Sequence, residues 1–457
     1  ALLAWLRLNW VYALSALSLA LAGVFFVQYG VEKGLLPPAA RVLAALVFGA
    51  ALIGAGEWLR RRHGDEGTHK TAYLPSVFSG AGLVAIFAAV LAARQMYGLI
   101  GPEVAFAGHV LTALLALVLG WFYGPLLAGF GLLGAAASPF IVAGGSQAGA
   151  WLYGYFALIA VVGLAVDAVR RWAWVSVLAL ALGFAGSALA MVSGAGIVGW
   201  VGVLIALAVL ATVVPPLQLV PRHQGPAMIR LLMGKAVEGW PPFPVRLAAG
   251  SVLASTLALV LLAASPQSEA MLALIALTLL ALAYLFWAEH AEGLMDLAYL
   301  PAIGLVISIG AQGFGHFPIL QHFWVQAPGL RGPEVAAPLT ISLLLGMVTL
   351  VGLGFAWRSF HNGPFRMLDT LAAVLLAPVS AAMLDLLWQP ATVIGAYAWA
   401  LQVIALAALM VGLALRYAKA DGVVHRRFAL ATLSAMALIA LALFLVSTDV
   451  ALTLALA

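Results

Sequence analysis

Apolar runs of roughly 20 residues, broken by short stretches of Pro, Gly and charged side chains, recur along the whole chain. Wound as an α-helix, a run of that length crosses the ~30 Å hydrocarbon layer of a bilayer. Read against this punctuation, the pattern predicts about fifteen such helices. Their centres fall near residues 20, 48, 86, 112, 134, 160, 182, 205, 255, 279, 305, 347, 377, 402 and 437, and an incomplete further run begins after Asp449. The expected fold class is all-α: a polytopic transmembrane helix bundle.

Two connections are longer than a turn. Residues 216–243 are bracketed by Pro215, Pro216, Pro221, Pro241, Pro242 and Pro244. They divide the chain into an N-terminal membrane bundle, 1–215, of about eight spans and a C-terminal one, 244–457, of about seven. Between them Ile229, Leu232, Met233, Ala236 and Trp240 follow the spacing of one helical face, while Arg230, Lys235 and Glu238 fall off that stripe. The pattern predicts a cytoplasmic amphipathic connector lying on the inner leaflet. The second long connection, 314–335, carries Phe317, Phe323 and Trp324 beside His316, His322, Arg331 and Glu334. Its aromatic residues suit the headgroup layer. Its charged and imidazole groups make it a candidate binding segment on the outer face.

Composition agrees with a chain solvated mainly by lipid: 65% of residues are hydrophobic, 8% are charged, and the mean hydropathy is +1.12. Charge then orients the zigzag. With the N-terminus cytoplasmic, all of the 21 Lys and Arg residues except Lys33, Arg41, Arg94 and Arg331 fall on inner segments, as retention of positive charge requires. Membrane insertion and anionic headgroups account for the net charge of +5. No basic run is long enough to track a phosphate backbone, so no nucleic acid is expected. The expected partners are membrane lipids and, if the protein works within a complex, other membrane protein subunits. The absence of Cys removes disulfides, thiolate metal sites and cysteine nucleophiles. The chain starts at Ala1 and ends on an apolar stretch, 451–457, so both ends are expected to be cut, and no cleavable signal-peptide pattern is found.

Ionisable groups inside hydrocarbon are costly and therefore candidates for function. Glu57 precedes Arg60 and Arg61, and Asp167 precedes Arg170 and Arg171, by three and four residues. Both carboxylates are expected to neutralise those cations. Asp385 lies past the centre of its span without a basic neighbour, and Pro378 earlier in that span predicts a kink or break. Pro301, Gly304, Gly310 and Gln312 mark a second candidate for broken backbone. Arg94 and Gln95 end one span and His109 lies in the next, with Glu103 between them as the expected partner of Arg94. Small residues make two candidate packing faces: Gly124, Ala128, Gly131, Ala135 and Ser138, and Ala81, Ala85, Ala88 and Ala92.

No P-loop, GxSxG elbow or HExxH motif is found. His316 and His322 lack a third ligand nearby, so no metal is expected. Only His109 lies within a span, which argues against haem. No cofactor is expected.

Several short stretches carry a resemblance. Asn9-Trp10 precedes the first span, and Gly56-Glu57-Trp58-Leu59-Arg60-Arg61 closes the second. Leu74-Pro75-Ser76 leads to Ser79-Gly80-Ala81-Gly82-Leu83, and Gly131-Leu132-Leu133-Gly134 leads to Ser138-Pro139-Phe140. Together they resemble a bacterial family of predicted multi-pass membrane proteins of unknown function (domain of unknown function 2339). The resemblance implies a bacterial inner-membrane location and brings no catalytic residues with it. Family members tend to carry a coiled-coil-prone stretch before the spans, which this chain lacks.

Three classes of function fit. The leading one is translocation or flipping of an amphipathic envelope component, lipid or lipid-linked, which suits the span count and the scarcity of buried charge. A structural or assembly subunit of a larger membrane complex suits the small-residue faces. A membrane-embedded transferase would use outer-face groups, Glu32, Lys33, Glu103, His316, His322, Arg331 and Glu334; enzymatic activity is the least favoured of the three.

Overall fold

The computed structural model describes residues 37–63, 74–143, 149–232, 239–264, 270–314, 338–361, 363–421 and 426–447, with isolated helical positions at Ser18, Leu21, Ala22 and Phe25. These residues form helices and the turns that join them. The long helices are α1 (Pro38–His63), α2 (Leu74–Gln95), α3 (Pro102–Tyr123), α4 (Pro125–Ala143), α5 (Trp151–Arg170), α6 (Ala173–Val192) and α7 (Ile197–Val213). They continue as α8 (Phe243–Ala264), α9 (Ala270–Phe286), α10 (Tyr299–Phe314), α11 (Pro338–Ser359), α12 (Arg366–Trp388), α13 (Ala396–Asp421) and α14 (Arg426–Val446). Among the described residues, 12 helical segments are long and apolar enough to cross a membrane, and α7 and α9 are shorter apolar helices. Each predicted span from residue 48 onward corresponds to one of these fourteen helices; the first span lies almost wholly outside the described residues.

Proline and glycine punctuate the helices. Pro38, Pro102, Pro125 and Pro338 each open one, at the position where a missing N–H costs no hydrogen bond. The same reasoning corrects the expectation of broken backbone near Pro301. That residue sits in the first turn of α10, which runs unbroken through Gly304 and Gly310. Pro378 lies inside α12, which is likewise continuous from Arg366 to Trp388.

The chain folds as two compact units, Ala1–Gly196 and Ile197–Ala457. The division expected at 215/216 is not where contacts divide. Helix α7 packs with the second unit because Ser251 and Ser255 of α8 donate to its Leu207 and Leu204 carbonyls, at 3.1 and 2.7 Å.

In the first unit, α1–α2, α3–α4 and α5–α6 are packed hairpins. Backbones approach closely where glycine permits it: a Cβ on Gly82 would lie 2.4 Å from the Gly49 carbonyl oxygen, and one on Gly120 would lie 2.5 Å from the Ala128 nitrogen. Ala128, Gly131, Ala135 and Ser138 form the buried face of α4, as their spacing predicts. The alanine stripe of α2 does not form such a face. Ala88 is exposed, and the buried side of that helix is Ser79, Ala81, Gly82, Leu83, Ala89 and Ala93.

Each unit has one basic end. In the first, Tyr123 donates to Glu57 (2.5 Å) and Ser76 donates to the Tyr123 carbonyl (3.3 Å), while Arg170 donates to the Trp121 carbonyl. These contacts gather the ends of α1, α3 and α5, which carry Arg60, Arg61, Arg62, Arg170 and Arg171, while Arg41 and Arg94 lie at the opposite end. In the second unit all described Lys and Arg residues fall at one end: Arg222, Arg230, Arg246, Arg358, Arg366, Arg416, Lys419, Arg426 and Arg427.

Candidate functional site

Of the candidate site residues singled out in sequence, Arg94, Glu103, His109 and Asp385 fall among the described residues. His316, His322, Arg331 and Glu334 lie outside the described residues, as do Glu32 and Lys33. Glu103 is exposed, and no ion pair joins it to Arg94, whose Nε is buried without a hydrogen-bond partner among the described residues. Gln95 instead donates to the Ile141 carbonyl at 2.8 Å. His109 is buried, its ring tilted against Phe87 with centroids 5.4 Å apart.

Asp385 is half-buried and accepts a hydrogen bond from Trp399 Nε1 at 3.0 Å, which clamps α12 to α13. Asp385→Asn keeps an acceptor there and is expected to change stability by no more than about 0.5 kcal/mol. Asp385→Leu strands the indole N–H and is expected to cost about 1–3 kcal/mol. Unfolding of the two variants in detergent distinguishes them.

Of the two predicted carboxylate–arginine pairs, one forms. Glu57 accepts from Arg60 (2.8 and 3.0 Å) and Arg61 (2.7 Å). Asp167 accepts from Ser176 Oγ at 2.6 Å instead. Arg170 turns away, over the rings of Trp121 and Trp172, and Arg171 caps the helix in a left-handed conformation, φ 58°.

The densest polar assembly is at the basic end of the second unit, and spacing along single helices did not point to it. Arg358, at the end of α11, donates from Nε (3.0 Å) and Nη2 (2.6 Å) to Asp369, in the first turn of α12. Tyr299, opening α10, adds a third donor to the same carboxylate at 2.6 Å. The ion pair is almost fully buried, with side-chain exposures of 5% and 4%. Beside it Asp421, ending α13, binds Arg366 (3.2 Å) and Arg427. Arg427 also donates to the Ser359 carbonyl at 2.8 Å, and the Ser359 hydroxyl lies 2.7 Å from that of Tyr417. These bonds fasten α10 to α14 at one end, as charged hydrogen bonds satisfied on several sides do.

The connector docks against this assembly. The expected amphipathic helix is described as helix only at Ile229–Leu232; residues 233–238 lie outside the described residues, and Trp240 is exposed beyond them. What holds the preceding segment is hydrogen bonding of its backbone to side chains and backbone of 287–296. Trp287 Nε1 donates to the Leu219 carbonyl (3.0 Å), Gly293 N to the His223 carbonyl (3.1 Å), and Ile229 N to Asp296 Oδ2 (2.8 Å).

Two recesses open there. The larger, about 720 Å³, is lined by Val220, Arg222, His223, Gln224, Gly225, His290 and Glu292. The smaller, about 190 Å³, is lined by Glu289, His290, Met295, Arg358, His361, Gly363, Phe365 and Asp369. His290 borders both and lies 3.2 Å from Glu289. Among the described residues no three His, Asp or Glu side chains converge as metal ligands. Several buried polar atoms here have no hydrogen-bond partner among the described residues: both ring nitrogens of His223, Arg358 Nη1, Arg366 Nε and Asp296 Oδ1.

Burial holds His223 below its ordinary value of 6.5, because desolvation penalises the imidazolium. On unfolding, the ring regains its ordinary affinity for protons, so the unfolded chain binds the proton first as pH falls. Stability from this group is present above about pH 6.5 and is lost as the pH drops through and below that value. The unfolding midpoint is expected to fall between about pH 7 and pH 5, with a shallower slope in His223→Phe; thermal melts across that range check it.

A family model described as predicted membrane protein (DUF2339) matches residues 7–457. Neither the comparison with curated proteins nor that with solved structures found a match.

Proposed function

The chain belongs to the DUF2339 family of predicted membrane proteins, and from that premise we propose that it translocates an amphipathic envelope component, lipid or lipid-linked, across a bacterial inner membrane. The observation that carries this reading is the roughly 720 Å³ recess at the basic end of the second unit. A cavity of that size falls in the range of small-molecule sites. It stands at the end of a lipid-solvated bundle, where the polar part of an amphipath in the adjoining leaflet would meet it. The buried arginines beside it are already paired, Arg358 with Asp369 and Arg427 with Asp421. A polar headgroup entering the recess meets Arg222, His290 and Glu292 on its walls and leaves those two buried pairs in place.

The reading takes the basic ends as cytoplasmic, since Lys and Arg are retained on that side. Because the chain has no Cys, single-cysteine labelling tests this directly. Met96→Cys, at a 73%-exposed position away from the basic end, is expected to react with a membrane-impermeant maleimide on intact spheroplasts. Leu219→Cys, at an 82%-exposed position at the basic end, should react only after permeabilisation. The reverse pattern overturns the orientation.

Translocation itself is tested by reconstituting the full chain in vesicles carrying a fluorescent phospholipid in the inner leaflet. Accelerated exposure of the label to an impermeant quencher supports the reading. No acceleration, together with a stoichiometric protein partner after gentle release from the native membrane, would replace it with that of an assembly subunit.

A further inference from the structure

Resting on the translocation reading, we propose that the paired recesses of the second unit form a binding site for a phosphate group borne by a headgroup that has hydrogen-bond donors of its own.

Arg358 is 5% exposed, two of its nitrogens are engaged by Asp369, and its Nη1 is buried without a partner while the residue lines the smaller recess. A buried guanidinium N–H left unpaired is costly, and an anionic oxygen is its strongest acceptor. His223 is 7% exposed, lines the larger recess, and has no partner at either ring nitrogen. Exposed Arg222 and His290 add a guanidinium and an imidazole to the same walls. Arg222 in the larger recess and Arg358 in the smaller are donor-only side chains, and each neutral imidazole beside them has one N–H to offer. A tetrahedral phosphate offers several acceptor oxygens at once, and guanidinium groups match them in geometry and charge.

The acidic side completes the ligand. Glu289 borders the smaller recess and Glu292 the larger. A bare inorganic anion would leave these carboxylates facing it without compensation. A phosphate ester whose headgroup also carries an amine or hydroxyl groups would satisfy both walls. Volume agrees with this division. The 190 Å³ recess has room for a phosphoryl group, and the 720 Å³ recess for the polar remainder. His290, shared by both, stands at the junction.

The test uses the full chain in detergent, with two probes measured by calorimetry: a short-chain phosphatidylethanolamine below its micellar concentration, and inorganic phosphate. Saturable binding of the lipid, displaced by millimolar phosphate, is the expected result. Arg222→Gln and His290→Gln are both on exposed positions, so the fold should survive, and unchanged thermal unfolding verifies it. Each is expected to weaken lipid binding by about tenfold, the scale of one lost charge-assisted hydrogen bond. Binding of inorganic phosphate without the lipid would keep the phosphate site and assign it to a soluble ligand. Binding of neither probe, or lipid binding unchanged in the double variant, overturns the proposal. Vesicle transport separates the two readings. Binding without translocation defeats the transport reading and leaves the site. Translocation at the parental rate in Arg222→Gln/His290→Gln defeats the site and leaves transport.

Discussion

Arg358→Leu is expected to cost about 3–5 kcal/mol of stability, the scale for removing one member of a buried ion pair. Both side chains are almost entirely enclosed, at 5% and 4% exposure. Without Arg358, the Asp369 carboxylate keeps one donor, Tyr299, and loses its counter-charge in a site that water reaches poorly. The effect is the cost of an uncompensated buried charge and not the net worth of the pair. Hence Arg358→Met/Asp369→Leu, which removes both charges and keeps the volume, is expected to recover most of the loss. Denaturant unfolding in a fixed detergent measures both variants. A double variant as unstable as the single one would show that the helix ends need these hydrogen bonds for alignment, beyond charge balance.

Gly163→Ala is expected to destabilise the first unit by about 1–3 kcal/mol, the range for overpacking a close contact. A Cβ on Gly163 of α5 would lie 2.2 Å from the Ala179 Cβ of α6 and 3.2 Å from Leu132 Cδ1. Two methyl carbons cannot approach so closely, so the two helices must separate. Intrinsic preference works the other way, since alanine favours a helix over glycine by about 1 kcal/mol. Gly154, in the same helix, isolates that term: a Cβ there meets nothing within 4 Å. Gly154→Ala is thus expected to be neutral or stabilising by up to about 1 kcal/mol. Opposite signs for two identical substitutions in one helix would place the effect in packing between helices. A loss at both positions would overturn that account.

These two expectations mark where sequence reading stops. The Glu57 pair was legible because its partners are three and four residues on, which one helical turn brings together. The Asp167 pair had the same spacing and did not form. Ser176, on the next helix, competes for the carboxylate, and the helix ends in a left-handed residue that carries Arg171 away. Asp369 lies eleven residues after Arg358 but across a turn between two helices, so the periodicity of a single helix does not relate them. Tyr299 joins them from a third helix. The segment 289–296 held a visible signal, since Glu289, His290, Glu292 and Asp296 crowd a short connection in a chain with so few ionisable residues. Those residues border the recesses or pair with the connector.

By itself the sequence determined that the protein is an all-helical, multi-pass membrane protein, and where nearly every described span lies. It did so because lipid imposes one strong rule along the chain: each crossing must be apolar for roughly 20 residues and satisfy its own backbone. The family followed from short motifs in the first third of the chain. Only the tertiary structure decided which polar groups meet. Among apolar helices, packing depends on where small residues let backbones approach, and hydrophobicity is nearly uniform around several of them, α1, α7, α8 and α11 included. Sequence therefore says little about which face turns inward. The assignment of α7 to the second unit, the docking of the connector through its backbone, and the gathering of Arg358, Asp369, Asp421 and Arg427 at one end all depend on contacts between helices distant in sequence.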